Sequence, residues 1–318
     1  MSTDAFSGQL TIAEQLYEVL EKHYGSRPTE LTPLPFGIVN YVFRATLGGR
    51  SFIVKTPRLD NAGRCSDVHL NKFCAEMLRP LGVPAPETIF IDSTWNMPLC
   101  GIEECLPGIN ALALGWQVLR RSFRCYLPQL AELMGKVHSR TIDGFGRLDA
   151  AGKGQLRNWE AVLTSPLTTV RDSVEHIADK TIISHELMRK CCALLERLSS
   201  RISLDRAQLL HGDLVPNNIL VAEGAICGIL DWGDALGGDP LYDLVLFEFF
   251  CGSTPFKHLL GAYEQHLPTG YALDLSRLDC YRLSIAMGKL GWRSFCKRKD
   301  LLLHPANVLK RILRKHQL

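Results

Sequence analysis

The run His211-Gly212-Asp213-Leu214-Val215-Pro216-Asn217-Asn218, followed by Ile229-Leu230-Asp231-Trp232, constrains this chain more than any other segment. It sets two carboxylates and a carboxamide on a loop, a short hairpin and a second loop. Asp213 and Asn218 are five residues apart on one loop. Asp231 follows a hairpin expected over Ile219–Val221 and Ala225–Leu230, turning at Glu223-Gly224. Hard oxygen ligands of this kind suit Mg²⁺ and nucleotide phosphates, and a carboxylate beside them suits the orientation of an attacking hydroxyl.

Read this way, Asp213 is the catalytic residue, and Asn218 and Asp231 are metal ligands. A lone loop aspartate is usually a cap; three such groups in a loop–hairpin context are more specific. His211 reads as support for the loop backbone rather than as a base. Lys55 ends the strand pattern Phe52-Ile53-Val54-Lys55 and is placed to meet phosphates as a point charge. Gly37 and Asn40, in Phe36-Gly37-Ile38-Val39-Asn40-Tyr41, are expected in a loop over the phosphates, a weak signal with one glycine. Asp239 and Asp243 precede a helix and read as helix-start caps that also brace the loop.

The rest of the chain gives these residues a setting. Thr11 to Tyr24 has helical spacing, a capping-box pair in Thr11 and Glu14, and Gly25 as a stop. Asn40–Leu47 and Ser51–Lys55 read as a hairpin across Gly48-Gly49. Val68–Leu81 reads as a helix, and Thr88–Asp92 and Leu99–Cys105 as strands. Pro107-Gly108 breaks the pattern, so residues 1–106 are expected to form a β-rich lobe covering the nucleotide and 107–318 a mainly helical lobe carrying catalysis and substrate binding. Helices are expected at Tyr126–Ser139, at His185–Ser199 and from Leu241 onward.

Composition excludes several classes. The net charge of +3 is too small to mark a nucleic-acid binder, and no segment approaches a membrane span. The basic tail from Arg293 to Lys315 has Val308, Ile312 and Leu313 on one side and reads as a solvated last helix. The N-terminus has no signal pattern. Eleven scattered cysteines without a Cys-x-x-Cys pair point to reduced thiols in the cytoplasm.

The residues resemble the aminoglycoside phosphotransferase family of small-molecule kinases. The likeness runs through Gly37–Asn40, Lys55, Gly82-Val83-Pro84-Ala85-Pro86, Glu104-Cys105-Leu106-Pro107-Gly108, Val137-His138-Ser139 and Gly144-Phe145-Gly146. It is strongest from His211 to Leu244. Within the family, Asn217-Asn218, Ala131-Glu132-Leu133-Met134 and Trp159 are similar to the members that phosphorylate hygromycin B. The resemblance implies an α+β, protein-kinase-like bilobal fold that transfers phosphate from ATP (or GTP), with Mg²⁺, to a hydroxyl of a small molecule. An aminoglycoside or aminocyclitol, a macrolide, an amino sugar and an amino alcohol all remain open as acceptors. Adenine is then expected on the backbone of Glu104, Cys105 and Leu106. The family's helix glutamate that pairs with the lysine falls on Asn71 here, which leaves Glu76, Asp67 or no residue as the partner of Lys55. A lysine without an acid would instead suit a nucleotide-binding regulatory module.

Overall fold

The computed structural model describes residues 3–34, 40–58, 66–92, 100–114, 116–173, 182–295 and 298–318. The chain begins with α1 (Thr3–Tyr24), β1 (Glu30–Pro33), β2 (Asn40–Leu47), β3 (Arg50–Pro57), α2 (Ser66–Leu78), β4 (Thr88–Asp92), β5 (Cys100–Glu104) and β6 (Ile109–Asn110). It continues with α3 (Trp116–His138), β7 (Thr141–Ile142), β8 (Phe145–Leu148), β9 (Gly154–Leu156), α4 (Trp159–Ser173), α5 (His185–Ser199) and β10 (Ala207–Leu210). Then come β11 (Ile219–Ala222), β12 (Ala225–Ile229), β13 (Leu236–Gly238), α6 (Pro240–Cys251), α7 (Ser253–Tyr263), α8 (Leu278–Phe295) and α9 (Leu303–Lys315).

These elements form two compact units. One holds Met1–Ala113 with Asn218–Gly233, the other Leu114–Asn217 with Asp234–Leu318. The expected break at Pro107-Gly108 therefore moves, and the second unit is not one continuous stretch. The reason is strand pairing. β6 pairs with β11, Ile109 opposite Val221 and Asn110 opposite Leu220. The Cys227 thiol also donates to the Pro107 carbonyl at 2.9 Å. The segment after the hinge and the hairpin after Asn218 thus become one three-stranded sheet in the order β12-β11-β6.

The first unit is built on an antiparallel sheet in the order β1-β2-β3-β5-β4. Alternation assigns its faces. Phe43 and Ala45, Phe52 and Val54, and Cys100 and Ile102 point to one side and pack on Ile12, Leu16 and Leu20 of α1. Each large side chain buried there contributes roughly 1.5–3 kcal/mol. α1 starts at Thr3, so Thr11 lies within the helix backbone and the helix begins earlier than its expected start at Thr11. No proline in that first stretch stops the helix earlier. Gly25 does end it, donating its N–H to the Glu21 carbonyl at 2.8 Å. Leu47 sits opposite Arg50, so the hairpin turns on Gly48-Gly49. The helix expected to reach Leu81 is α-helical only to Leu78, and Arg79–Leu81 tightens into a 3₁₀ turn. Pro80 lacks the N–H that another α-turn needs.

The second unit carries a small sheet in the order β7-β10-β13-β8-β9 and the helices from α3 onward. α3 is longer than its periodic core and contains Pro128. α5 has the expected bounds, with the Ser184 hydroxyl accepting the Leu187 N–H at 3.2 Å. α8 buries residues on most of its circumference, Cys280, Tyr281, Leu283, Ser284, Ile285, Ala286, Met287 and Leu290. A helix apolar almost all round belongs in a core. The basic last helix packs Val308, Leu309, Ile312 and Leu313 and exposes Arg311 and Arg314. No described helix is long and apolar enough to cross a membrane. None of the nine cysteines among the described residues is in a disulfide.

Candidate active site

In the first unit the site begins with strand register. Lys55 of β3 lies opposite Gly101 of β5, and Ile53 lies opposite Glu103. Lys55 and Glu103 are therefore diagonal neighbours on one face, within reach of long side chains. That face is the one turned away from α1. Lys55 Nζ is 2.9 Å from Glu103 Oε2, and the two side chains are 12% and 4% exposed. Glu103 Oε1 accepts the amide of Asn71 of α2 at 3.1 Å.

The acid beside Lys55 is thus Glu103, a strand residue that the sequence reading passed over. Glu76 is exposed and pairs instead with Lys72 at 3.8 Å, and Asp67 lies where side chains are not described. Asn71 sits where the helix glutamate was expected and reaches Glu103 as a neutral donor. α2 comes close enough because residue 101 is glycine: a Cβ there would lie 2.4 Å from Val68 Cγ1. One signal was present. Ile102 alternates to the core, so Glu103 had to face the other side, on the same side as Lys55. Among the described residues, the buried Asn71 Oδ1 has no hydrogen-bond partner.

Asn218 and Asp231 stand at the open end of the β11–β12 hairpin. Ile219 pairs with Ile229, and beyond that pair the Leu230 N–H donates to the Asn218 carbonyl at 2.8 Å. Asp231 follows directly with φ +65°, a left-handed backbone that aspartate tolerates better than most residues. Asn218 is buried and Asp231 exposed. A carboxamide and a carboxylate at one hairpin end are hard oxygen donors. They fit a Mg²⁺ ion that completes its shell with phosphate oxygens and water. Among the described residues no three His, Cys, Asp or Glu side chains cluster as a metal site.

The expected adenine segment follows β5. Glu104 gives its N–H to the Glu87 carbonyl at 2.8 Å, and its carboxylate holds Arg79 at 2.7 Å. That leaves Cys105 and Leu106, both partly exposed, as the chain between sheet and hairpin. Asn40 opens β2 opposite Pro57. Gly37 lies outside the described residues.

In the second unit a buried carboxylate organises the loop that holds Asp213. Asp243, on α6, accepts the His211 N–H at 2.7 Å and the Gly212 N–H at 3.0 Å. Its Oδ2 also lies 3.3 Å from His138 Nε2, and His138 Nδ1 lies 2.7 Å from the Tyr263 hydroxyl. Burial pushes the Asp243 pKa up, but the bond and charge of His138, then His211 and the Gly212 N–H, outweigh it and hold it below the usual range. Gly212 has φ +79°, and a Cβ there would lie 2.0 Å from the Asp234 carbonyl, so only glycine fits.

Within this loop His211 Nδ1 accepts the Asp213 N–H at 3.2 Å. His211 is buried and its Nδ1 is engaged with backbone. Asp213 itself meets Lys289 of α8, Nζ to Oδ1 2.9 Å. Asp239, expected as a cap, does cap α6 by accepting the Leu241 N–H at 3.0 Å. It does not touch the loop. It is fully buried and takes Arg277 at 2.7 Å, the Tyr281 hydroxyl at 2.6 Å and the Tyr271 hydroxyl. The Trp159 indole donates to Tyr281 at 3.0 Å, which ties α4 to the same cluster. Burial and then the Asp239 charge push the Tyr271 and Tyr281 hydroxyls far above their ordinary pKa. Asp243, by contrast, lies one turn into α6 and is the residue that holds the loop.

The antiparallel sheet with a helix over the lysine face, and the helical unit with a buried carboxylate beneath a polar loop, define the α+β fold of protein-kinase-like small-molecule kinases. One solved neighbour is a thermostable mutant of aminoglycoside phosphotransferase APH(4)-Ia, a ternary complex with ADP and hygromycin B. It has a TM-score of 0.75 and 20% identity, covering 94% of this chain and 97% of that one. Among curated proteins, hygromycin-B 4-O-kinase of Escherichia coli is 22% identical over 235 residues, 70% of this chain and 62% of that protein. YcbJ of Bacillus subtilis (strain 168) is 40% identical over 60 residues, 19% of this chain and 20% of its own length. The chain thus spans less than two thirds of either curated relative. The model of the phosphotransferase enzyme family matches residues 30–273, and the chain belongs to that family.

Proposed function

We propose that this protein transfers the γ-phosphate of ATP to a hydroxyl of a small molecule. The observation that carries the reading is the hold of Asp243 on the loop. A fully buried carboxylate is committed to two backbone N–H groups just ahead of Asp213, whose own side chain is 27% exposed. A rigid support under an accessible carboxylate is what hydroxyl orientation requires.

In this mechanism Asp213 accepts the hydrogen bond of the acceptor hydroxyl. The acceptor oxygen forms a bond to the γ-phosphorus while the bond from that phosphorus to the β–γ bridging oxygen breaks. The hydroxyl proton passes to Asp213, and the nucleoside diphosphate leaves. Lys55, kept in place by Glu103, meets the phosphates as a point charge. Asn218 and Asp231 would hold Mg²⁺, which when bound neutralises phosphate charge. Cys105 and Leu106 offer backbone to the base.

The relatives support the reading. The E. coli relative is named for a kinase of hygromycin B, and solved complexes of APH(4)-Ia contain ADP or AMP-PNP with that compound. The variants crystallised there alter an aspartate and the two asparagines four and five residues after it. Asp213, Asn217 and Asn218 have that spacing. The regulatory-module reading rested on a lysine without an acid, and Glu103 removes that support. The test is ATP-dependent phosphate incorporation across a panel of hydroxylated acceptors, hygromycin B among them. Asp213→Asn should keep the fold and lose at least about 100-fold in turnover. Near-normal turnover in that variant would refute the role of Asp213.

A further inference from the structure

The surroundings of Asp213 are not acidic. Lys289 pairs with it at 2.9 Å, and the two side chains are 25% and 27% exposed. Lys289 belongs to a stripe of cations on α8, with Arg282 and Arg293 at helical spacing, that meets the C-terminal end of α6. Arg282 holds Glu248 through contacts of 2.7 and 2.9 Å. Lys289 lies 5.3 Å from the centre of the Phe250 ring, and Arg293 lies 5.6 Å from that of Phe249. Two further acids, one on α8 and one just before it, are paired as well. Asp274 is on Arg277, and Asp279 is on Arg282, Lys315 and His316. A polycation is recognised where carboxylates outnumber cations. Here the carboxylate that would receive the hydroxyl already faces an ammonium group.

We infer that Lys289 is a specificity-determining residue, and that the acceptor carries no ammonium group beside its reacting hydroxyl. The acceptor class is a small-molecule hydroxyl flanked by neutral or anionic substituents. This rests on Asp213 being the residue that receives the hydroxyl. A hydroxyl bound to Asp213 sits within a few ångströms of Lys289 Nζ, so a cationic substituent on the adjacent carbon meets like charge. The developing negative charge of the transferred phosphoryl group meets an opposite one.

The experiment uses the full chain with ATP and matched acceptors: amine-bearing sugars and aminocyclitols, each compared with the same compound N-acetylated. Phosphate incorporation gives kcat/KM for both members of a pair. The wild type should favour the acetylated member. Lys289→Met should shrink that preference about tenfold, and Lys289→Arg should retain it. The added bulk of the acetyl group affects both enzymes alike, so the change in ratio reports charge. If Lys289→Met does not fold, Lys289→Gln is compared in its place. The same preference with and without the lysine, or a wild-type preference for free amines, overturns the inference and leaves the phosphotransferase reading standing. No transfer to any acceptor overturns both.

Discussion

Lys55 and Glu103 form a buried ion pair across two neighbouring strands, 2.9 Å from Nζ to Oε2. Both ends of the pair belong to one sheet, so strand register sets the lysine. Among the described residues, the helix contributes the neutral Asn71 amide. Removing the acid strands a buried ammonium. Glu103→Gln should cost about 3 kcal/mol of stability or more, and misplacing the lysine should cost up to about 100-fold in kcat/KM. Asn71→Ala should cost only about 1 kcal/mol. The double variant Asn71→Glu, Glu103→Gln returns the acid to the helix and should recover part of both losses. Thermal melts and steady-state kinetics on the three variants check this, and equal effects of Glu103→Gln and Asn71→Ala would exclude the clamp.

Asp231 is best probed with Asn, because alanine would add strain at φ +65° on top of the lost charge. Asp231→Asn keeps the backbone and removes a metal-binding charge. Mg²⁺-dependent ATP binding should weaken about tenfold or more, while binding measured in EDTA stays unchanged. Calorimetric titration with and without Mg²⁺ measures both, and an unaltered metal dependence would count against Asp231 as a ligand.

The depressed pKa of Asp243 makes a pH prediction. Its ionised form is favoured in the folded state, so its stabilisation is fully present above the ordinary aspartate value of about 3.9. It is lost as pH falls through the lower folded value. Asp243→Asn should therefore be less stable than wild type near neutrality, by about 3 kcal/mol, and the gap should close below pH about 4. Urea unfolding at several pH values tests it. A gap that widens toward acid would contradict the assigned sign.

Burial pushes the thiols of Cys74, Cys191, Cys251 and Cys280 up to about 12. At pH 8 they are protonated; Cys74, Cys191 and Cys280 are also buried and Cys251 partly so, whereas Cys125 is exposed. A thiol reagent should label Cys125 within minutes and Cys74, Cys191 and Cys280 only after unfolding. Peptide mapping by mass spectrometry at timed intervals reads this directly. Early labelling of Cys191 or Cys280 would mean that the helical core opens more readily than its packing implies.

The elements legible in the sequence are those whose signals are local. The Asn40–Leu47 strand, the two-residue hairpin turn and the bounds of α5 follow from alternation, turn residues and helical spacing within a few positions. The roles proposed for Asp213, Asn218 and Asp231 rest on the same kind of local signal, since those residues lie on one short stretch of chain. α1 is misjudged because a good cap pattern at Thr11 says nothing about whether the helix continues before it.

The sequence by itself determined the kinds of groups the chain brings to its site and the rhythm of its strands and helices. Only the tertiary structure decided which of those groups meet. Asn71 and Glu103 are 32 residues apart, and Asp213 and Lys289 are 76 apart. The register of β3 against β5 gives Lys55 a strand acid, Glu103. The packing of α8 gives Asp213 a lysine, and a buried aspartate one turn into α6 holds the loop still. Such pairings depend on how sheets register and helices pack over long separations, and a one-residue slip in any strand would turn its side chains to the opposite face.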